Sequence, residues 1–296
     1  MHLAHTDDLA AEVEALVSSY GGRVGLGAVL GDLDRRLRRT VAPCLSRHRA
    51  WAWDTADRRD REWWPQGVSP GPDPGILGVT WYAKAGGSRL SVVDLRARRY
   101  RHVTLVRPTR DGHQPLRVHA GGLAWSGSTL HVAATRAGLW VCDTGDVLRG
   151  RDGYVLPVRH RLSVDPGDAE PLRFSFLSTV PGAPGRLVVG EYGNRRQTRR
   201  LAHLDVEAGS VELEEHGVLC AQGVVRVDDS YVLSASHGPW TPGSLWTGRP
   251  GAFHERRWAL PIGPEDLARS ADGRRLWTVT EHPRRRWILA LRRPSK

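Results

Sequence analysis

Acidic and imidazole side chains recur at two fixed places in a strand–turn–strand unit that repeats along the chain. The clearest copy extends from Gly263 to His282, where two short runs flank the turn Asp272-Gly273. Further copies begin near His119 and Ala221. An Asp-Gly pair between such runs predicts a β-hairpin. The polar residues therefore stand at the start of the first strand and at the end of the second.

These places hold residues that can transfer protons. Carboxylates that crowd together acquire different pKa values and can act as an acid and a base. Imidazoles titrate near neutral pH and can carry protons. The carboxylates and imidazoles concerned are Glu191, Glu265, Glu281, His119, His237 and His282. Within this set we predict a catalytic group of Glu265, Glu191, His119 and Glu281.

Other polar and aromatic residues at the same places are predicted to bind the substrate. They are Gln66, Tyr82, Arg173, Tyr192, Gln222, His237, Asp266, His282 and Trp64. For any one of them the alternative is a structural role, because most buried polar groups are simply hydrogen-bonded. Gln66 and Gln222 occupy equivalent positions and could brace the ring. The sequence contains no cofactor motif, so we predict none, while a metal held by imidazoles or carboxylates stays an alternative.

The spacing of the hairpins predicts the architecture that brings these residues together. The second strands begin near residues 77, 130, 187, 231 and 276, at intervals of 53, 57, 44 and 45 residues. A period near 40–50 residues with several strands per repeat is typical of a β-propeller. We predict an all-β, five-bladed β-propeller over residues 44–296, with six blades as the alternative. A strand over Cys44–Trp53 should complete the last blade and close the ring.

The first 43 residues follow a different pattern. Apolar residues at helical spacing predict one helix that ends near Tyr20 and a second from about Leu26 to Arg39. We expect this helical N-terminal extension to pack on the outside of the propeller. Residues 54–62 are predicted to be a charged linker.

Composition bounds the partners and the location. The formal charge is +11, and the arginine clusters are scattered along the chain without a nucleic-acid motif. We therefore predict a solvated basic surface, with nucleic acid an improbable partner. No segment is long enough to span a membrane, and the N-terminus lacks the pattern of a signal peptide, so we expect a cytoplasmic protein. Of the three cysteines, Cys142 and Cys220 are predicted to be buried and inert.

Several short segments together resemble a known family. These segments are WWPQGV, VTWYAK, YRHVTLV, HAGG, LRFSF, VVGEYG, PEDL and LWTVTEHP. The set is similar to an uncharacterised family of actinobacterial, mostly secreted, propeller-like proteins, over roughly Trp63 to Leu291. The resemblance implies a propeller but brings no established activity. The chain departs from the family in its helical N-terminus and in lacking an export signal.

Two classes of function fit these observations. The first is a non-redox acid–base enzyme (a cyclase, an isomerase or a hydrolase of a biosynthetic pathway) that acts on a small organic molecule at the central mouth. A glycoside hydrolase is a sub-case, in which two carboxyl groups stand about 5–5.5 or 6.5–9.5 Å apart. The second is a binding or scaffold propeller without chemistry. That alternative predicts carboxylates neutralised by Arg173 or Arg136 and a channel plugged by side chains.

Overall fold

The computed structural model describes residues 1–167 and 169–293. Strands dominate it, and the helices are few and short. The elements that precede the first repeat are β1 (His2–Thr6), α1 (Ala10–Ser19), α2 (Gly25–Leu30), β2 (Arg35–Arg36), β3 (Arg38–Thr40), β4 (His48–Ala52) and α3 (Thr55–Arg59).

The repeats form antiparallel units of four strands, each counted from the axis outward. Unit 1 contains β5 (Trp63–Pro70), β6 (Ile76–Ala83), β7 (Ser88–Asp94) and β8 (Arg99–Thr109), followed by the short β9 (Gly112–Pro115). Unit 2 contains β10 (Leu123–Ser126), β11 (Thr129–Ala133), β12 (Leu139–Asp143) and, after a 3-10 turn at Thr144–Asp146 and β13 (Leu148–Gly150), β14 (Gly153–Asp165).

The remaining units follow in the same order. Unit 3 contains β15 (Phe176–Thr179), β16 (Arg186–Gly190), β17 (Arg200–Asp205) and β18 (Ser210–Glu215). Unit 4 contains β19 (Ala221–Val227), β20 (Ser230–Ala235), β21 (Ser244–Arg249) and β22 (Ala252–Arg256). Unit 5 contains β23 (Pro264–Arg269), β24 (Arg275–Thr280), β25 (Trp287–Arg292) and β4 from the start of the chain.

The units surround a central axis. Their first strands neighbour one another in the order β5, β10, β15, β19, β23 and back to β5. Apolar residues fill the space between each pair of adjacent units, so the core is a ring of interfaces rather than one central mass. Burying both faces of each sheet in this way stabilises a propeller. The predicted all-β propeller is confirmed.

The ring is closed by pairing the beginning of the chain with its end. Strand β4 lies antiparallel to β25, with Ala50 opposite Leu289, and Trp51 opposite Ile288. Strand β3 then adds outside β4, where Thr40 lies opposite Ala50. The predicted closing strand is therefore present, although it is shorter than Cys44–Trp53. Closure satisfies the backbone groups of β25 that an open edge would leave unpaired.

The N-terminal segment is less helical than predicted. Strand β1 was missed, and it pairs with β14 of unit 2 and touches β18 of unit 3. The second predicted helix ends at Leu30, and the two short strands β2 and β3 replace its remainder. Strand β2 pairs with β8, and strand β3 pairs with β4, so both extend the edges of propeller sheets. As predicted, α1 packs outside, with Val13 and Leu16 against Val106.

The predicted charged linker contains a buried anchor. Asp57 lies on α3, is 2% exposed, and accepts hydrogen bonds from Arg35, Arg89, Tyr100 and His102. Burial opposes ionisation, but these donors outweigh it and hold the pKa of Asp57 well below its usual range. The segment therefore fixes the N-terminal strands to unit 1. Within the described residues, no helix is long and apolar enough to cross a membrane.

Candidate active site

Six polar side chains meet at one mouth of the ring, where the first strands begin and the second strands end. We call them the mouth cluster: Glu265, Glu281, Tyr82, Tyr192, Gln66 and Gln222. They come from units 1, 3, 4 and 5 and were all singled out from the sequence. The charges of the two glutamates act on both tyrosine hydroxyls, which places the four groups in one neighbourhood.

Irregular pairing of the first strands directs these residues to the mouth. In unit 5 the register shifts between Pro264 and Leu267, so that two residues oppose one on β24. The same kind of shift occurs around Gln66 in unit 1 and around Gln222 in unit 4. Such a β-bulge re-aims side chains and is common beside active sites. The position of these residues in the sequence could not reveal the bulges, because the side chains of a regular strand alternate between the two faces of the sheet.

Glu265 is the most buried member of the mouth cluster. Its side chain is 3% exposed, and Gln222 Nε2 donates to Oε1 at 3.2 Å. Burial, the charge of Glu281 and the charge of Asp266 raise the pKa of Glu265 well above its ordinary value. These effects favour the protonated form of the Glu265 carboxyl group. No arginine or lysine of the described chain forms an ion pair with it.

Glu281 is the second carboxyl group and is partly exposed. Gln66 Nε2 donates to its Oε2 at 3.1 Å, and His282 Nδ1 lies 3.7 Å from Oε1. Burial raises the pKa of Glu281, while Gln66, Arg286 and Lys84 oppose the rise. The pKa of Glu281 is therefore raised less strongly than that of Glu265. Each glutamine donates a hydrogen bond to one oxygen of one carboxyl group. This role is more specific than the ring-bracing role considered from the sequence.

Two tyrosines complete the polar wall. Burial and the charges of Glu281 and Glu265 raise the pKa of Tyr82 to about 12. Interaction with the Cys220 thiol, burial and the same two glutamates raise the pKa of Tyr192 to about 12. Both hydroxyls therefore keep their protons at neutral pH and can donate hydrogen bonds.

Three further predicted residues line the same mouth. The exposed His119 ring stacks on Tyr82 with ring centroids 4.5 Å apart. Trp64 contacts His282 edge to face at 5.9 Å, and the Lys84 ammonium lies 4.5 Å above the Trp64 ring. The Nε2 atom of His282 is buried and has no hydrogen-bond partner among the described residues. Stacking fixes His119 while leaving its edge available to a ligand.

Asp266 does not face the mouth but fills the axis below it. Its carboxylate accepts the backbone N–H groups of Val68 at 3.1 Å, Leu123 at 3.0 Å and Leu177 at 3.4 Å. Burial raises its pKa, and these amides oppose the rise. The group is thus a plug that links units 1, 2, 3 and 5. Gly67 occupies the equivalent place in unit 1. Any larger residue there would clash, because its Cβ would lie 2.7 Å from the backbone nitrogen of Leu123.

Glu191, predicted to be catalytic, forms a structural ion pair instead. It is completely buried, and Arg200 donates to both oxygens, with Nη2 2.8 Å from Oε1 and Nε 3.0 Å from Oε2. The Arg173 backbone N–H donates to Oε1 as well. Burial alone would raise the pKa of Glu191, but these donors lower it to about 2. Its proton is therefore unavailable near neutral pH, and we leave it out of the proposed catalytic group.

Two predicted binding residues also point elsewhere. The Arg173 guanidinium bonds Glu170 and Thr198, which anchors the loop after Tyr192. His237 Nε2 lies 2.7 Å from the Ser244 hydroxyl, which in turn donates to Glu255. These contacts lie within units 3 and 4 and serve the local structure. Both side chains therefore form hydrogen bonds with other residues of the protein.

Cys220, which the sequence predicted to be a buried and inert thiol, lies beside the mouth. It is half-buried rather than buried, is a free thiol, and lies next to the Tyr192 hydroxyl. Its backbone has a φ of 54°, a conformation that few side chains adopt. The signal was present: Cys220 stands three residues before Gly223, as His119 stands three before Gly122. Cys142, by contrast, is buried as predicted.

Two cavities lie away from the mouth. One of 520 Å³ lies beside Arg36 and Arg98, and one of 1140 Å³ is lined mainly by arginines at the outer end of unit 5. Within the described residues, no three His, Cys, Asp or Glu side chains are arranged to share a metal ion.

Sequence comparison finds no matching protein-family model, and no curated protein matches the chain. Solved structures similar to it include a gluconolactonase from Xanthomonas campestris, with 15% identity and a TM-score of 0.45 over 90% of this chain and 87% of the other. A glutaminyl cyclase from Myxococcus xanthus has 11% identity and a TM-score of 0.44 over 88% and 98%. The likeness is too distant to carry any statement about activity.

Proposed function

We propose that this protein is a cofactor-independent acid–base enzyme that acts on a small organic molecule at the mouth. Glu265, protonated, serves as the general acid, and Glu281, more ionised, serves as the general base. Tyr82 and Tyr192 donate hydrogen bonds to oxygen that gains negative charge in the transition state. His119 and Trp64 contact the substrate. Hydrolysis, cyclisation and isomerisation all fit this division of roles.

One observation carries the proposal: two carboxyl groups share the mouth without an arginine or lysine ion partner in the described chain. The carboxylates with a structural role in this protein have different partners. Glu191 and Asp57 both form ion pairs with arginines. In the mouth, each carboxyl group is bonded instead by a neutral amide on one oxygen. Separated pKa values in such a pair assign one acid and one base.

The test uses one probe for each reaction class on the purified chain. Suitable probes are a δ-lactone and an aryl glycoside for hydrolysis, an N-terminal glutaminyl peptide for cyclisation, and an α-hydroxy ketone for proton exchange. For a probe that is turned over, Glu265→Gln and Glu281→Gln should each lower kcat/KM by about 10²–10⁴-fold. Glu212→Gln, an exposed carboxylate on β18, is the matched control and should leave the rate unchanged.

The pH profile gives a second measurement. The rate should fall on the alkaline side as Glu265 loses its proton, and Glu265→Gln should remove that limb. Turnover that is unchanged in both glutamine variants would contradict the proposal. A turned-over aryl glycoside would select the glycoside hydrolase sub-case.

The alternative function is a binding propeller without chemistry, and the Asp266 plug favours it. A binding propeller is expected to have a plugged channel, and Asp266 fills the axis. It is also expected to have carboxylates paired with arginines. Glu191 is paired in this way, whereas Glu265 and Glu281 are not. Binding of one probe without conversion, lost in Glu281→Gln, would support this function instead. Labelling of the Cys220 thiol by iodoacetamide, slowed when the probe binds, would report occupancy of the mouth.

Three further features stay proposals from the sequence. They are kinship with the actinobacterial propeller-like family, a cytoplasmic location and a role in a biosynthetic pathway. A cytoplasmic location is checked by fractionating cells that express the full chain. The mouth chemistry does not depend on any of the three.

A further inference from the structure

A basic groove lies on unit 5 at the end opposite the mouth. It is formed where β23 turns into β24, where β25 ends and where β4 begins. Its volume is 1140 Å³, and among the described residues eight arginines and a single acidic residue, Asp272, line it. We call it the arginine groove. Its arginines include Arg47, Arg49, Arg269, Arg274, Arg275 and Arg292.

Positive charge exceeds negative charge among the described residues of the arginine groove. Within the described residues, none of its eight arginines forms an ion pair with a carboxylate, whereas arginines elsewhere, such as Arg89 and Arg200, do. Arg269 Nε is buried and has no hydrogen-bond partner in the described chain. Guanidinium groups gathered in this way repel one another, and a concave wall concentrates their field. An anion that enters the groove relieves that repulsion.

The single acidic residue does not neutralise the groove. Asp272 Oδ1 accepts from the Ser270 hydroxyl at 2.6 Å and from the Arg274 backbone N–H at 3.0 Å, so it holds the β23–β24 turn. Gly273 follows with a φ of 68° and completes the turn. The Asp272 carboxylate therefore stabilises the turn that forms part of the groove.

The lining chemistry selects the class of anion. Arginine forks bind phosphate oxygens in pairs, more specifically than lysine does. A single phosphate is far smaller than 1140 Å³, whereas several linked phosphates could contact arginines on β4, β24 and β25 together. Apart from His48, no aromatic ring lines the groove. Single-stranded nucleic acids are bound by stacking their bases on aromatic side chains, so the lining favours a compact phosphate-rich molecule.

We propose that the arginine groove binds a small anion that carries several phosphate groups. The site is separate from the mouth and does not depend on the proposed enzyme activity. It is assembled from residues 47–49, 256, 269–275 and 292–293, which are distant in sequence. Arginines from distant parts of the sequence thus share one ligand class in this groove.

The experiment is calorimetric titration of the full chain with sodium tripolyphosphate at about 50 mM salt, where electrostatic attraction is weakly screened. Orthophosphate and a 20-nucleotide single-stranded oligonucleotide are titrated in parallel. We expect tripolyphosphate to bind at least about tenfold more tightly than orthophosphate. Arg274→Ala/Arg292→Ala should weaken its binding by at least about tenfold, because both side chains are exposed and approach the groove from different segments, the β23–β24 turn and the end of β25.

The matched control is Arg110→Ala/Arg151→Ala, two exposed arginines outside the groove, which should change the affinity by less than about twofold. A second pair, Arg47→Ala/Arg49→Ala, repeats the test on β4 and the residues before it. Equal losses in the control and groove variants would overturn the proposal, as would absent tripolyphosphate binding. Tighter binding of the oligonucleotide, lost in the same variants, would overturn the ligand class in favour of nucleic acid.

Discussion

At the scale of single residues, the partners of a carboxylate decide what it can do. Glu191 and Glu265 are both buried and both begin or end a hairpin strand. Glu191 is bonded by a guanidinium and has a lowered pKa, whereas Glu265 is bonded by an amide and has a raised pKa. One therefore supports the structure, and the other can supply a proton.

Replacing Glu265 should stabilise the protein in a way that depends on pH. Its folded pKa lies above its unfolded value of about 4.3, so the stability it contributes is complete below that value. That stability is lost as pH rises through the folded pKa. Glu265→Gln should thus match the wild type near pH 4 and exceed it at pH 7, by about 1.4 kcal/mol per unit of pKa shift. Urea unfolding at pH 4 to 8 measures this.

Glu212→Gln is the control for that series, and its stability should follow the wild type at every pH. A Glu265→Gln variant that is less stable than the wild type at pH 7 would contradict a raised pKa for Glu265. The expected gain in stability with loss of activity is typical of a strained active site.

Replacing Glu191 should have the opposite effect on the free energy of unfolding, a loss of stability at neutral pH. Its lowered pKa means that its contribution is present above about pH 4.3 and is lost as pH falls toward 2. Glu191→Ala leaves the buried Arg200 unpaired and should cost about 3–5 kcal/mol at pH 7. The difference from the wild type should shrink between pH 5 and 3 in urea unfolding. A difference that does not vary with pH would show that packing, not charge, accounts for the loss.

At the scale of elements, the first strands carry the site because their pairing is irregular. The extra residues at Gln66–Gly67 and Glu265–Asp266 place one side chain at the mouth and leave the next position at the axis. Glycine at Gly67, Gly122 and Gly223 lets the strands approach, and one carboxylate, Asp266, fills the remaining space.

Removing the plug should destabilise the ring without removing any apolar contact. Asp266→Ala leaves the N–H groups of Val68 and Leu123 without their acceptor, at about 1–3 kcal/mol each. Asp266→Asn retains an acceptor oxygen and should cost less. Hydrogen exchange at the amides of Val68 and Leu123, together with urea unfolding, measures both effects. Equal stability of the alanine and asparagine variants would argue against the hydrogen-bonding role.

At the scale of the whole molecule, the fold depends on joining the two ends of the chain. Strand β4 lies between β25 and β3, so it shares backbone hydrogen bonds with both neighbours. Pairing of β14 with β8, and of β1 with β14, further joins units 1, 2 and 3. The N-terminal segment is thus part of the ring's outer frame.

Breaking the closing strand should therefore weaken the entire propeller. Ala50→Pro removes a backbone donor at the centre of β4 and leaves its buried acceptor unpaired, which should cost about 1–3 kcal/mol. Leu45→Ala, an exposed position before β4, should change stability by less than about 0.5 kcal/mol. Thermal unfolding of both variants is the measurement. An Ala50→Pro variant as stable as the Leu45→Ala variant would show that the ring does not need this strand.

The sequence by itself determined the repeat, the propeller class and the closing strand, because hairpin spacing and apolar alternation are local patterns. It also identified every member of the mouth cluster. Only the tertiary structure decided which carboxylates keep a usable proton, since that depends on Arg200 for Glu191 and on Gln222 for Glu265. It likewise assembled the arginine groove, because residues far apart in sequence become neighbours when the ring closes.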